Sequence, residues 1–138
     1  MDDVLPLFYF DTTTSRSRQS RTITKSFERQ PKKRFCCAVC NGFITDDAQA
    51  IIIQQQHVHS RTNPQGQSFS FGCFRAAPGC RVIGAATDEH TWFIGYRWRF
   101  VHCKHCNVQM GWHFAGETEF FALILEQLVE CSDNDGHE

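Results

Sequence analysis

Apolar and polar residues alternate with a period of two through most of the middle of this chain. Phe69 and Phe71 flank Ser70, so residues 69–74 read as a half-buried strand, which Pro78 and Gly79 break. Residues 81–83 form a short strand, followed by a loop from 84 to 90. Further strands carry residues 98–101 and 109–114. Upstream, residues 35–40 read as a strand, and the β-branched run within 48–59 as another. Thr62-Asn63-Pro64-Gln65-Gly66 has the composition of a turn. The period changes after Gly116. Phe120, Phe121, Leu123, Ile124 and Leu128 recur at helical spacing, which predicts one helix over 117–130 with Thr118 at its start. The pattern is that of a mainly β domain with one C-terminal helix.

A chain of 138 residues makes one domain, with tails, and buries roughly two-thirds of its unfolded surface. Thirteen phenylalanines predict an aromatic-rich core. The net charge of −1 selects no partner, but its distribution is uneven. Residues 15–34 hold eight Lys or Arg and one acid, and the last nine residues hold four acids. The chain therefore divides into a basic extension (1–34), a folded domain (35–130) and an acidic tail (131–138). The basic run has the composition to touch nucleic acid or acidic lipid, but a solvated tail is the plainer reading, and neither nucleic acid nor membrane is an expected partner. No apolar run would span a bilayer, and the first ten residues are too short and too acidic for a secretory signal. A reducing, cytoplasmic setting is expected.

Two stretches carry chemistry. Cys37-Ala38-Val39-Cys40 and Cys103-Lys104-His105-Cys106 are Cys-x-x-Cys pairs about sixty residues apart. Doubled pairs favour one structural zinc held by four thiolates, over disulfides or a redox pair. Cys36 then reads as a buried neighbour, Cys73 and Cys80 as buried thiols, and Cys131 as part of a fraying end. His57 and His59 share a strand face but are not needed as ligands. All three tryptophans, Trp92, Trp98 and Trp112, surround the second pair. They fit either three walls of an aromatic box or three separate core residues. Spacing alone does not choose, because Gly95 lets the chain turn between the first two.

These motifs together resemble the CULT domain family, the thalidomide-binding domain of cereblon, also found in small single-domain bacterial proteins. The resemblance covers about residues 36–128. It rests on Cys36-Cys37-Ala38-Val39-Cys40, the Asn63-Pro64-Gln65-Gly66 turn, Glu89-His90-Thr91-Trp92, Gly95-Tyr96-Arg97-Trp98, Cys103-Lys104-His105-Cys106 and Met110-Gly111-Trp112-His113-Phe114. It implies a β-tent: two antiparallel sheets pinned by zinc on Cys37, Cys40, Cys103 and Cys106. It implies an aromatic cage of Trp92, Trp98 and Trp112 on a base of Phe114, with Asn63, Pro64, Glu89, His90 and Thr91 at its mouth. The implied ligands are cyclic imides: glutarimides of the thalidomide type, imides formed at protein C-termini and, weakly, uridine. The imide N–H would donate to the His90 carbonyl. The two imide carbonyls would accept from the His90 side chain and the Trp92 backbone N–H. Gln65 departs from the family's Asn-Pro-His-Gly turn. Cereblon's Lon-like domain and adaptor-docking helices have no counterpart in the resemblance, so no ubiquitin-ligase adaptor is expected as a partner. The implied role is binding, not catalysis. The alternatives are a zinc-containing methionine-R-sulfoxide reductase, which would need a reactive cysteine among Cys73, Cys80 and Cys131, and a zinc-stabilised protein- or nucleic-acid-binding module using the basic extension.

Overall fold

The computed structural model describes residues 33–132. Most of the basic extension and the acidic tail, with the binding role considered for the former, lie outside the described residues.

Among the described residues nine strands form two antiparallel sheets. They are β1 (Arg34–Cys37), β2 (Phe43–Asp46), β3 (Val58–Thr62), β4 (Ser68–Phe74), β5 (Cys80–Thr87), β6 (Arg97–Cys103), β7 (Gln109–Ala115), β8 (Glu119–Ile124) and β9 (Leu128–Cys131). The smaller sheet has the order β2-β1-β9, and the larger β3-β4-β8-β7-β6-β5.

Register explains how one sheet serves two cores, since successive side chains of a strand point to opposite faces. Opposite one another across β6, β7 and β8 stand Trp98, Phe114 and Phe120, then Phe100, Trp112 and Ala122. These residues share a face with Phe71 and Cys73 of β4, and most belong to one aromatic core with Phe93. On the opposite face Phe74, Val101, Cys103 and Leu123 pack with Cys37 and Ile44 of the smaller sheet. The smaller sheet thus covers one side of the larger. The loop bearing Phe93 covers part of the other side.

The helix expected over residues 117–130 is absent. In its place β8 is followed by a single 3-10 turn, Leu125–Gln127, and by β9. β8 lies between β4 and β7. Phe120, Ala122 and Ile124 enter the aromatic core, while Leu123 enters the other. A strand covered on both faces is apolar at every position, and such a run matches helical spacing by accident.

Two smaller differences concern loops and cysteines. The run Ile51–Ile53 does not form a strand of its own. After an isolated bridge from Ala50 to Phe74, the chain turns at Gln54 and Gln55, both in the left-handed region, with Ile53 bridged to Gln56 across the turn, before β3 begins. Cys36 is buried, as expected, but its sulfur is bonded to Cys131, ninety-five residues away, which fastens β9 to β1. Strand β5 runs to Thr87, beyond the expected 83, with a register shift between Ile83 and Thr87.

Candidate functional site

Phe93 organises the loop between β5 and β6. Its side chain is fully buried, with its ring edge-on to Phe114 at 4.9 Å, to Phe120 at 5.3 Å and to His59 at 5.4 Å. The flanking turns follow from local bonds. Thr91 N donates to Asp88 O, and Tyr96 N donates to Phe93 O. Gly95 has φ 90°, and His90 adopts the left-handed region at φ 57°, a conformation uncommon for a residue with a side chain. Anchoring by Phe93 thus fixes where His90 and Trp92 lie.

The three indoles are held by different means. The Trp98 Nε1–H donates to the backbone carbonyl of Glu89 at 2.9 Å. The Trp92 Nε1–H donates to the carbonyl of Thr62 at 3.3 Å. Trp112 meets Trp92 edge-on at 4.8 Å and Phe69 at 5.2 Å. Phe114 lies 1% exposed beneath them. Between these rings lies a cavity of about 400 Å³, lined by Trp92, Trp98, Trp112 and Phe114 with Asn63, Pro64 and His90. Glu89 and Thr91 do not line it. The Glu89 carbonyl holds Trp98 and its carboxylate lies 3.8 Å from His90 Nε2, while Thr91 Oγ1 bonds within its own turn to Phe93.

Asn63 also shapes its own turn. Its Oδ1 accepts from the backbone N–H groups of Gln65 and Gln67, and its Nδ2 donates to Gln67 Oε1. Gln65, Gln67, Phe69, Phe100 and Gln109 line the cavity too, and sequence reasoning assigned none of them to it. Phe100 was the findable one, two residues beyond Trp98 on the same strand face.

The four paired cysteines form a candidate metal centre. Cys37 ends β1 and Cys103 ends β6, so the cluster joins the two sheets. The four sulfurs lie within 4.8 Å of one another, with Cys37–Cys106 and Cys40–Cys103 each at 3.7 Å. A tetrahedron with metal–sulfur bonds of about 2.3 Å has edges of roughly 3.8 Å, so this set fits one ion. Both knuckles are built alike. Asn41 and Asn107 take left-handed φ values of 65° and 70°, and each returns its N–H to the carbonyl of the first cysteine of its pair. Backbone N–H groups of Val39, Gly42 and His105 point at sulfurs. At Cys103 burial opposes ionisation, but the N–H groups of Cys106 and His105, together with the side chains of Cys40 and Cys106, outweigh it and hold the thiol below its ordinary range. Elsewhere burial pushes the thiols of Cys73 and Cys80 up to about 12. His57 and His59 bond instead to the carbonyls of Ile51 and Ile53.

The fold and site define a mainly β domain, with two sheets joined by a four-cysteine centre and an aromatic cavity open on the larger. No family model matches the chain. Curated relatives do match it, and cereblons are among them. Protein cereblon of Gallus gallus is 29% identical over 86 residues, 55% of this chain and 19% of the relative. That of Danio rerio is 34% identical over 53 residues, 38% and 12% of the two chains. That of Drosophila erecta is 25% identical over 83 residues, 58% and 14%. Each match spans less than a fifth of the relative's length. This chain carries a cereblon-related, CULT-like domain.

Proposed function

We propose that this domain is a zinc-pinned, non-catalytic binding module whose aromatic cavity takes cyclic imides of the glutarimide type, including those formed at protein C-termini, with uridine a weaker guest. The observation that carries the reading is a cavity walled by Trp92, Trp98 and Trp112 over Phe114, with His90 at its edge. A glutarimide has one polar edge, acceptor–donor–acceptor, and one CH₂ edge. The CH₂ edge suits the indoles, whose faces attract its partly positive hydrogens. The polar edge would meet the His90 carbonyl and side chain and the Trp92 backbone N–H. Pockets of this kind are mostly apolar with a few placed polar groups.

Zinc is the metal that four thiolates in a tetrahedral set favour. Such a set fills the coordination sphere and leaves no position for a substrate, which accords with binding rather than catalysis. The sulfoxide-reductase alternative is disfavoured. It requires an accessible, acidic thiol, whereas Cys73 and Cys80 are buried with raised pKa values and Cys131 is disulfide-bonded. The division into 1–34, 35–130 and 131–138 and a cytoplasmic setting belong to the same proposal, although the Cys36–Cys131 disulfide is of a kind rare in reducing compartments. Among the described residues no helix is long and apolar enough to cross a membrane.

Titration with glutarimide, followed by tryptophan fluorescence and calorimetry, tests the reading. Binding in the micromolar range, about −8 kcal/mol, is expected for the native protein. Trp98→Ala should weaken it at least a hundredfold with the fold intact. Unchanged affinity in that variant would remove the cage from the mechanism.

A further inference from the structure

The cavity is larger than the ring assigned to it. It encloses about 400 Å³, whereas an imide ring of some eight heavy atoms fills on the order of 150 Å³ at the packing density of protein interiors. Strand register shows where the remaining room leads. Trp98 stands opposite Phe114, Phe100 opposite Trp112, and His102 opposite Gln109. Successive pairs on one face are about 7 Å apart along the strands. Phe100 therefore stands level with Trp112 and one row on from Trp98, and Gln109 lies a further row on, so the wall continues past the indoles in the direction of the cysteine centre.

This outer part is built differently from the cage. Phe100 is 43% exposed, although its ring lies 5.1 Å from that of Trp98. It offers a broad apolar surface inside a cavity wall. Apart from His90, the polar side chains lining the cavity are the amides of Asn63, Gln65, Gln67 and Gln109. Asn63 Nδ2 steadies the Gln67 amide. The lining contains no Asp, Glu, Lys or Arg, and His90 is its one titratable residue. Neutral amides that both donate and accept match a peptide main chain; a phosphate or a free carboxylate would call for a cation.

Resting on the imide-binding reading, we propose that the outer part of the cavity holds the peptide that bears the ring. The ring is the cyclised last residue of a polypeptide. Its carbon beside one imide carbonyl carries the amide that leads back into the chain. The preceding residue lies on Phe100, and its main-chain amide meets the glutamine side chains. Phe100 and Gln109 then determine which C-termini are accepted.

Calorimetry on the full chain with four probes tests this: glutarimide, 3-aminoglutarimide acylated with acetyl-glycine, the same ring acylated with acetyl-phenylalanine, and uridine. The phenylalanyl probe should bind at least about tenfold more tightly than bare glutarimide, with the glycyl probe between them. In Phe100→Ala that ratio should fall below about threefold, whatever happens to the bare ring. Gln109→Ala should lower the ratio for both acylated probes and serves as the second variant if the first does not fold. Equal affinities for ring and peptide probes would overturn the proposal, as would ratios unmoved in both variants or uridine binding more tightly than the peptide probes. If bare glutarimide binds in those cases, the imide reading stands and this inference alone fails. If neither glutarimide nor any acylated ring binds, both fall.

Discussion

Two buried side chains set the site without lining it. Phe93 fills the aromatic core beneath the loop that carries His90 and Trp92. Phe93→Ala should cost about 3–5 kcal/mol of stability and weaken glutarimide binding, as urea denaturation and titration will measure. His59 is 3% exposed, and its Nε2–H donates to the carbonyls of Ile53 and Gln56, while its Nδ1 has no partner. Burial lowers its pKa from the ordinary 6.5. The same cause, partly offset by Glu119, lowers that of His113. A depressed folded pKa means that the unfolded chain takes up the proton first as pH falls. Stability should therefore hold above pH 6.5 and decline as pH drops towards the depressed folded value. Urea midpoints across that range should show this decline, and His59→Gln should flatten it.

Among elements, β8 separates what the sequence discloses from what it does not. The first half of β4, where Ser68 and Ser70 are exposed beside Phe69 and Phe71, and the Asn63–Gly66 turn were legible, because alternation and turn chemistry are local. β8 was misread as a helix because tertiary structure covers both its faces, and no local feature records that. The Cys36–Cys131 bond was hidden for a related reason, since connectivity between distant cysteines cannot be read from spacing. It closes a long loop, so Cys131→Ser should lower stability by about 2–4 kcal/mol. Bound metal should stay at one equivalent, since Cys36 and Cys131 lie outside the four-cysteine cluster. Denaturation curves and metal analysis will check both. In the candidate site, the tryptophans stood out in the sequence by their rarity. Phe93, Gln67 and Gln109 carry no such mark, and only the folded chain shows their places.

At the scale of the described domain, the cysteine centre and the core around it join the two sheets. The smaller sheet contributes Cys37 from β1, and the larger contributes Cys103 from β6. Metal removal should therefore unfold the domain rather than loosen one corner. A chelator at neutral pH should release one zinc per chain and abolish the cooperative thermal transition. Cys103→Ser should do the same, and a stable metal-free variant would assign the cysteines another role. Acid should weaken retention of the ion, because the thiolates must be deprotonated to bind it.

The tethering of two indole N–H groups to the main chain has a thermodynamic consequence. With Trp92 and Trp98 already bonded to Thr62 and Glu89, solvent resting among those rings finds few donors left to greet it. Releasing such poorly held water should give favourable heat at room temperature together with a negative heat-capacity change. Entry would then be driven by what leaves the hollow as much as by what arrives.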